Sequence, residues 1–190
     1  MNLLLDISIR LTKFIGHCHA PFTKKYVTGI DYLLAKDLLK PGMILITKTR
    51  GELSNLFIPG SFTHAAIYIG SDYVCEAIGK GVVKTDIISF MLSKDYVAVL
   101  TPLFATEGQM VLAAHFANMN VGAPYDYSFE SDLKAFYCSE LCYQSYQSAM
   151  DGTSPLQLRP RMGRQTIIPN DLWKARSKLG IVYRSNQCPT

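Results

Sequence analysis

Five short runs between Gly42 and Leu103 constrain this chain more than any other feature: GMILITK (42–48), THAAIYIG (63–70), DYVCEAIG (72–79), GVVKTDI (81–87) and DYVAVLTPL (95–103). Each is rich in β-branched and aromatic residues and is bounded by Gly, Pro, Asp or Ser, the composition of strands closed by turns. Together they predict a meander-like antiparallel sheet.

On either side of these runs the period changes to that of a helix. Asp31 to Leu39 predicts a short helix that ends before the stop signal Pro41-Gly42. Glu107 to Asn120 predicts another, most apolar from Gln109 to Ala117 and terminated by Gly122-Ala123-Pro124. A last helix starts at Tyr137 or Cys138 and runs through SELCYQSYQSAM to Asp151-Gly152, with Leu141, Cys142, Tyr146 and Ala149 on its apolar face. Residues 2–15 place Leu4, Leu5, Ile7, Leu11, Phe14 and Ile15 at helical spacings, with Gly16 as the stop. That helix is expected to pack on the core. Peripheral membrane contact through residues 2–15 is the less favoured alternative, because the polar face is not rich in Lys and Arg. Helices and strands occupy separate parts of the chain, so the fold class is α+β.

With 190 residues, 48% of them hydrophobic, the chain can fill one core but not two, so a single domain over 1–190 is expected. A net charge of +4 leaves room for an anionic ligand or a membrane surface but does not resemble a nucleic-acid binder. Asp6, Arg10 and Lys13 interrupt the first apolar run before it reaches signal-peptide length, and no later run approaches a spanning helix. A cytoplasmic location is therefore expected. The five cysteines (Cys18, Cys75, Cys138, Cys142, Cys188) are odd in number and unevenly spaced, which is not a disulfide framework and agrees with a reducing compartment.

Of these cysteines, Cys138 is placed for chemistry. A thiolate is stabilised by the partial positive charge of a helix N-terminus and by a nearby imidazolium, and the helix start also offers a backbone N–H to an oxyanion. Cys142, one turn further in, reads as a small buried apolar residue. The candidate base is His64, at the start of the THAAIYIG strand. Glu76 on the next strand is its candidate orienter, since a carboxylate in an otherwise apolar strand needs a partner. If Gly70-Ser71-Asp72 is an unbulged three-residue loop, Ala66 pairs with Glu76 and His64 is a diagonal neighbour on the same face; a bulge in that turn would put the two on opposite faces. Nucleophile, base and orienter are then all present.

Other signals are weaker. His17-Cys18-His19 could be combined with Cys138 and Cys142 as a metal set, but the separation and the lack of a paired CxxC speak against it, and no metal or cofactor is expected. His115, among Ala113, Ala114 and Phe116, reads as a packing or surface residue. Arg159, Arg161 and Arg164, followed by Lys174, Arg176 and Lys178, read as a solvated loop and helix face rather than a site for an acidic substrate or phospholipid head group.

The runs GAPYDYSFESDLKAFYCSELC, PGMILIT, FTHAAIYIG and IIPNDLW resemble the circularly permuted papain-like branch of the NlpC/P60 superfamily, the YiiX/YaeF-like amidases. The resemblance stretches from Pro41 to about Trp173, and Tyr-Cys-Ser-Glu-Leu is its most specific motif. It implies a permuted papain-like fold: an antiparallel sheet or half-barrel against helices, with a catalytic core over 41–185 and an N-terminal helical extension over 1–40. It also implies a cysteine amidase or peptidase in which Cys138 attacks a carbonyl, His64 moves the proton and Glu76 holds the imidazole. Tyr125, and with it Tyr137, would line the oxyanion or substrate site. The implied partner is a peptide or an acyl or lipid substrate, the lipid ester being suggested by the similarly permuted lecithin retinol acyltransferase group. A lipid acyltransferase, phospholipase or thioesterase of that type is the second alternative, and a non-catalytic lipid- or peptide-binding protein is the third. The chain departs from the pattern at Cys142, where related sequences carry an apolar residue, and before Pro41, where no counterpart exists.

Overall fold

A computed structural model of the chain describes residues 26–49, 60–129, 133–161, 163–175, 177–186 and 188–189. The helix expected over 2–15 and the His17-Cys18-His19 cluster lie outside them. The chain runs through helix α1 (Gly29–Lys36) into strands β1 (Ile44–Lys48), β2 (His64–Gly70), β3 (Tyr73–Ile78) and β4 (Gly81–Asp86), then helix α2 (Ile87–Leu92) and strand β5 (Tyr96–Pro102). Helices α3 (Glu107–Met119) and α4 (Cys138–Ala149) follow. A small hairpin of β6 (Arg159–Arg161) and β7 (Arg164–Thr166), helix α5 (Pro169–Lys174) and strand β8 (Leu179–Arg184) complete it.

The main sheet has the order β4-β3-β2-β1-β5-β8, antiparallel at every pair. Strands β1 to β4 form the expected meander, but β5 leaves it and pairs with β1 on the opposite side from β2. The reason is local. The Asp86 carboxylate accepts the Ser89 N–H at 2.8 Å, capping a helix where a hairpin would otherwise turn. Ile87, Phe90 and Met91 of that helix are buried, and α2 carries the chain back to the other side of β1. The sequence reading contains neither α2 nor β8, the strand that closes the far edge against β5.

The β2–β3 turn also differs from expectation. It is a two-residue turn at Ser71 and Asp72, with φ of 51° and 62°, the paired positive values of a type I′ hairpin turn. A register shift falls between Tyr68 and Gly70. The shorter turn and the extra residue offset each other, so Ala66 pairs with Glu76 in spite of the irregularity.

Helices α3 and α4 pack on each other and on β2, and α4 reaches β3. Ile44, Leu45 and Ile46 of β1 are fully buried, each contributing about 1.5–3 kcal/mol relative to exposure. Gly42 holds this layer close. Its φ is +91°, and a Cβ there would lie 2.4 Å from the Met110 carbonyl oxygen of α3. The Tyr146 hydroxyl of α4 donates to the Gly42 carbonyl at 2.6 Å, tying the helix that carries Cys138 to the start of β1.

Candidate active site

Cys138 is the first residue of α4, preceded by Tyr137 in extended conformation at the N-cap. Both flanking residues are fixed to Ile167, in the connection from β7 to α5. The Ile167 N–H donates to the Tyr137 hydroxyl at 3.1 Å, and the Ser139 hydroxyl donates to the Ile167 carbonyl at 2.8 Å. The Tyr137 N–H in turn donates to Glu140 at 3.4 Å, closing the first turn. Cys138 is therefore gripped from both sides, with 4% of its surface exposed.

His64 opens β2 and faces this helix end. Its Nε2 lies 2.7 Å from Glu76 Oε2, leaving Nδ1 as the nitrogen for Cys138, whose sulfur hydrogen-bonds to the imidazole. The other carboxylate oxygen of Glu76 accepts the Thr85 hydroxyl at 2.7 Å. Thr85 stands on β4 opposite Val74, two residues from the Val83–Glu76 pair and so on the same face. Sequence reasoning missed it, although a Thr at that place in the fourth strand of a meander is a readable signal once the register is fixed.

Burial opposes charge on all three groups, and the hydrogen bonds outweigh it. For His64, bonds with Cys138 and Glu76 raise the pKa from 6.5 to about 9. For Glu76, the bond and charge of His64, with help from Lys94 and Thr85, lower it to about 2. The Cys138 thiol is lowered by the imidazole and by the backbone N–H groups of Ala65 and Ser139. The other buried thiols move the opposite way. Burial pushes Cys75 up to about 12 and drives Cys142 far above the usual thiol range. Cys142 also directs its sulfur at the Cys138 carbonyl, 3.7 Å away.

The two tyrosines part company. Tyr125 comes within electrostatic reach of the nucleophile: burial and the charge of Cys138 hold its phenol well above the usual range. What is placed directly is its backbone, held by a bridge to Phe136, and its ring, 4.7 Å from that of Tyr127. Tyr137 spends its hydroxyl on Ile167 and its N–H on Glu140, and its ring lies against Phe129 at 4.9 Å. Its place is structural support beside the nucleophile. His115 is exposed on α3. Of the arginine group, Arg161 donates to Asp171 at 2.7 Å and Arg159 stands 3.5 Å from the same carboxylate.

Among the described residues no group of three or more His, Cys, Asp or Glu is placed to hold a metal, and no helix is long and apolar enough to cross a membrane. A thiol at a helix start, an imidazole turned toward it and a carboxylate behind can attack an acyl carbon and move one proton.

Comparison with known proteins agrees with this fold. The crystal structure of metalloprotein YiiX from Escherichia coli O157:H7 matches with a TM-score of 0.60 and 22% identity, covering 77% of this chain and 97% of that one, a likeness of fold. No curated protein matches the chain. The family described as permuted papain-like amidase enzyme, YaeF/YiiX, C92 family, matches residues 38–181. The chain thus belongs to the permuted papain-like amidase family, whose members are papain-like cysteine amidases or peptidases.

Proposed function

We propose that the chain cleaves an amide bond through a Cys138–His64–Glu76 triad and a thioester acyl-enzyme. The observation that carries this reading is the 2.7 Å pairing of His64 Nε2 with Glu76 in an imidazole that also bonds to the Cys138 sulfur. The thiolate attacks the carbonyl carbon, and the oxygen takes up the charge beside the Tyr125 hydroxyl and the N–H groups at the start of α4. His64 gives its Nδ1 proton to the departing amine as the C–N bond breaks. A water then attacks the thioester, His64 takes its proton, and the acid leaves as the thiolate–imidazolium pair is restored.

Glu76 holds the ring and its charge throughout, and Thr85 holds Glu76. YiiX is a metalloprotein; among the described residues of this chain no three His, Cys, Asp or Glu are grouped to hold a metal. The test is to incubate the chain with a panel of N-acyl amides and esters, quench in acid and weigh the protein. An acyl adduct on the Cys138 peptide, absent in C138S, is expected. Turnover that survives C138S would contradict the reading, as would a panel on which wild type shows neither turnover nor adduct.

A further inference from the structure

Lys94 stands beside the His64–Glu76 pair without an acid of its own. It directly follows the end of α2, where its N–H donates to the Met91 carbonyl at 3.0 Å and the Ser93 hydroxyl donates to the Phe90 carbonyl at 2.7 Å. Its ammonium lies 4.8 Å from the centre of the Phe90 ring, and the same ring lies 6.2 Å from the imidazole of His64. The charge is felt by both His64 and Glu76. Among the described residues no hydrogen bond or ion pair is made by this ammonium, and the Phe90 face is its one ring contact. Glu76 is engaged with His64 and Thr85, and Asp95, the next residue along the chain, is buried and has interactions of its own.

A half-buried cation here works against the imidazolium the reaction needs, because like charges repel. An aromatic face balances only part of that cost. We propose that Lys94 forms an anion subsite that takes a carboxylate carried by the acyl donor close to its scissile bond. One ammonium on a flexible stem, with no guanidinium fork or nest of N–H groups described beside it, matches a single carboxylate better than a phosphate dianion, which calls for several donors. The inference rests on Cys138 and His64 being the reacting pair, and it narrows the substrate class to acidic amides.

Two alkylating reagents of nearly equal size test it on the full chain. Iodoacetamide is neutral and iodoacetate carries the carboxylate; with each, the sulfur–carbon bond forms as iodide leaves. Rates at the Cys138 peptide are read by mass spectrometry, and the ratio of iodoacetate to iodoacetamide cancels any change in thiol reactivity itself. K94M is expected to lower this ratio by about two- to fivefold and K94E by more, whereas K94R keeps it. K84M, which removes the same charge from an ammonium stacked on Tyr73 at 4.0 Å, should leave it unchanged. Added salt should lower the wild-type ratio and not that of K94M. A ratio that K94M leaves unmoved, or that K84M lowers equally, overturns the subsite while fast iodoacetamide labelling of Cys138 leaves the proposed chemistry standing. Slow labelling of wild-type Cys138 by both reagents overturns the catalytic reading and the subsite with it.

Discussion

His64 and Glu76 are diagonal neighbours across the β2–β3 ladder, brought to 2.7 Å because Ala66 pairs with Glu76. That contact acts with the Cys138 sulfur to hold the imidazole protonated. Replacing the carboxylate by an amide keeps the shape and removes the charge that holds the imidazolium. E76Q should therefore lower kcat/KM on the order of 10²-fold. It should also bring the His64 pKa down from about 9, which NMR titration of the ring can follow. An unchanged titration would show that Glu76 does not act on His64.

Thr85 acts one step further away. T85V leaves a buried carboxylate oxygen without its 2.7 Å donor, at a cost of about 1–3 kcal/mol of stability. The activity loss should be smaller than that of E76Q, and T85S should restore both properties. Denaturation and steady-state rates measured on the same samples decide it, and equal losses for T85V and T85S would point to packing instead of the hydroxyl.

The pH dependence has a definite sign. His64 has a folded pKa raised above its unfolded value, so its stabilising contribution is complete below 6.5 and is lost as the pH rises through about 9. Glu76 is lowered, so its contribution is complete above 4.5 and is lost as the pH falls through about 2. The kcat/KM profile should accordingly fall on the alkaline side near pH 9, where the imidazolium gives up its proton, and H64A should lack that limb. An alkaline limb near neutrality would mean that the ion pair is weaker than the geometry implies.

The two tyrosines give opposite expectations. Y125F removes a donor at the developing oxyanion and should lower kcat on the order of 10²-fold with little loss of stability. Y137F removes the acceptor of the Ile167 N–H, 3.1 Å away, and should cost about 1 kcal/mol of stability with a smaller change in kcat. Thermal melts and kcat for both variants separate the roles; the reverse pattern would exchange them.

Much of this was legible in the sequence because it rests on local pattern. The punctuation between β-branched runs places β1 to β5 within a residue or two, and Glu107 to Met119 is a helix bounded as its apolar period and its Thr106 cap require. His64, Glu76 and Cys138 were readable for the same reason: each breaks or begins a regular pattern. What escaped depends on contacts between distant segments. The path of β5 to the far side of β1 is decided by the burial of α2, and the short run LGIVYR becomes a strand only because β5 offers an open edge. Thr85 gains its meaning from a register that itself depends on an irregular turn, and Lys94 from the Phe90 ring that it shares with His64.

The proposed chemistry requires Cys138 to be a thiolate held by His64 at a helix start, and Cys142, one turn along, to be a protonated packing residue. Iodoacetamide labelling at about pH 6, followed peptide by peptide, tests this most directly, because only a depressed thiol reacts quickly there. Cys138 should label far faster than Cys142, and H64A should abolish the difference. Equal, slow labelling of both cysteines in the wild-type chain would contradict it.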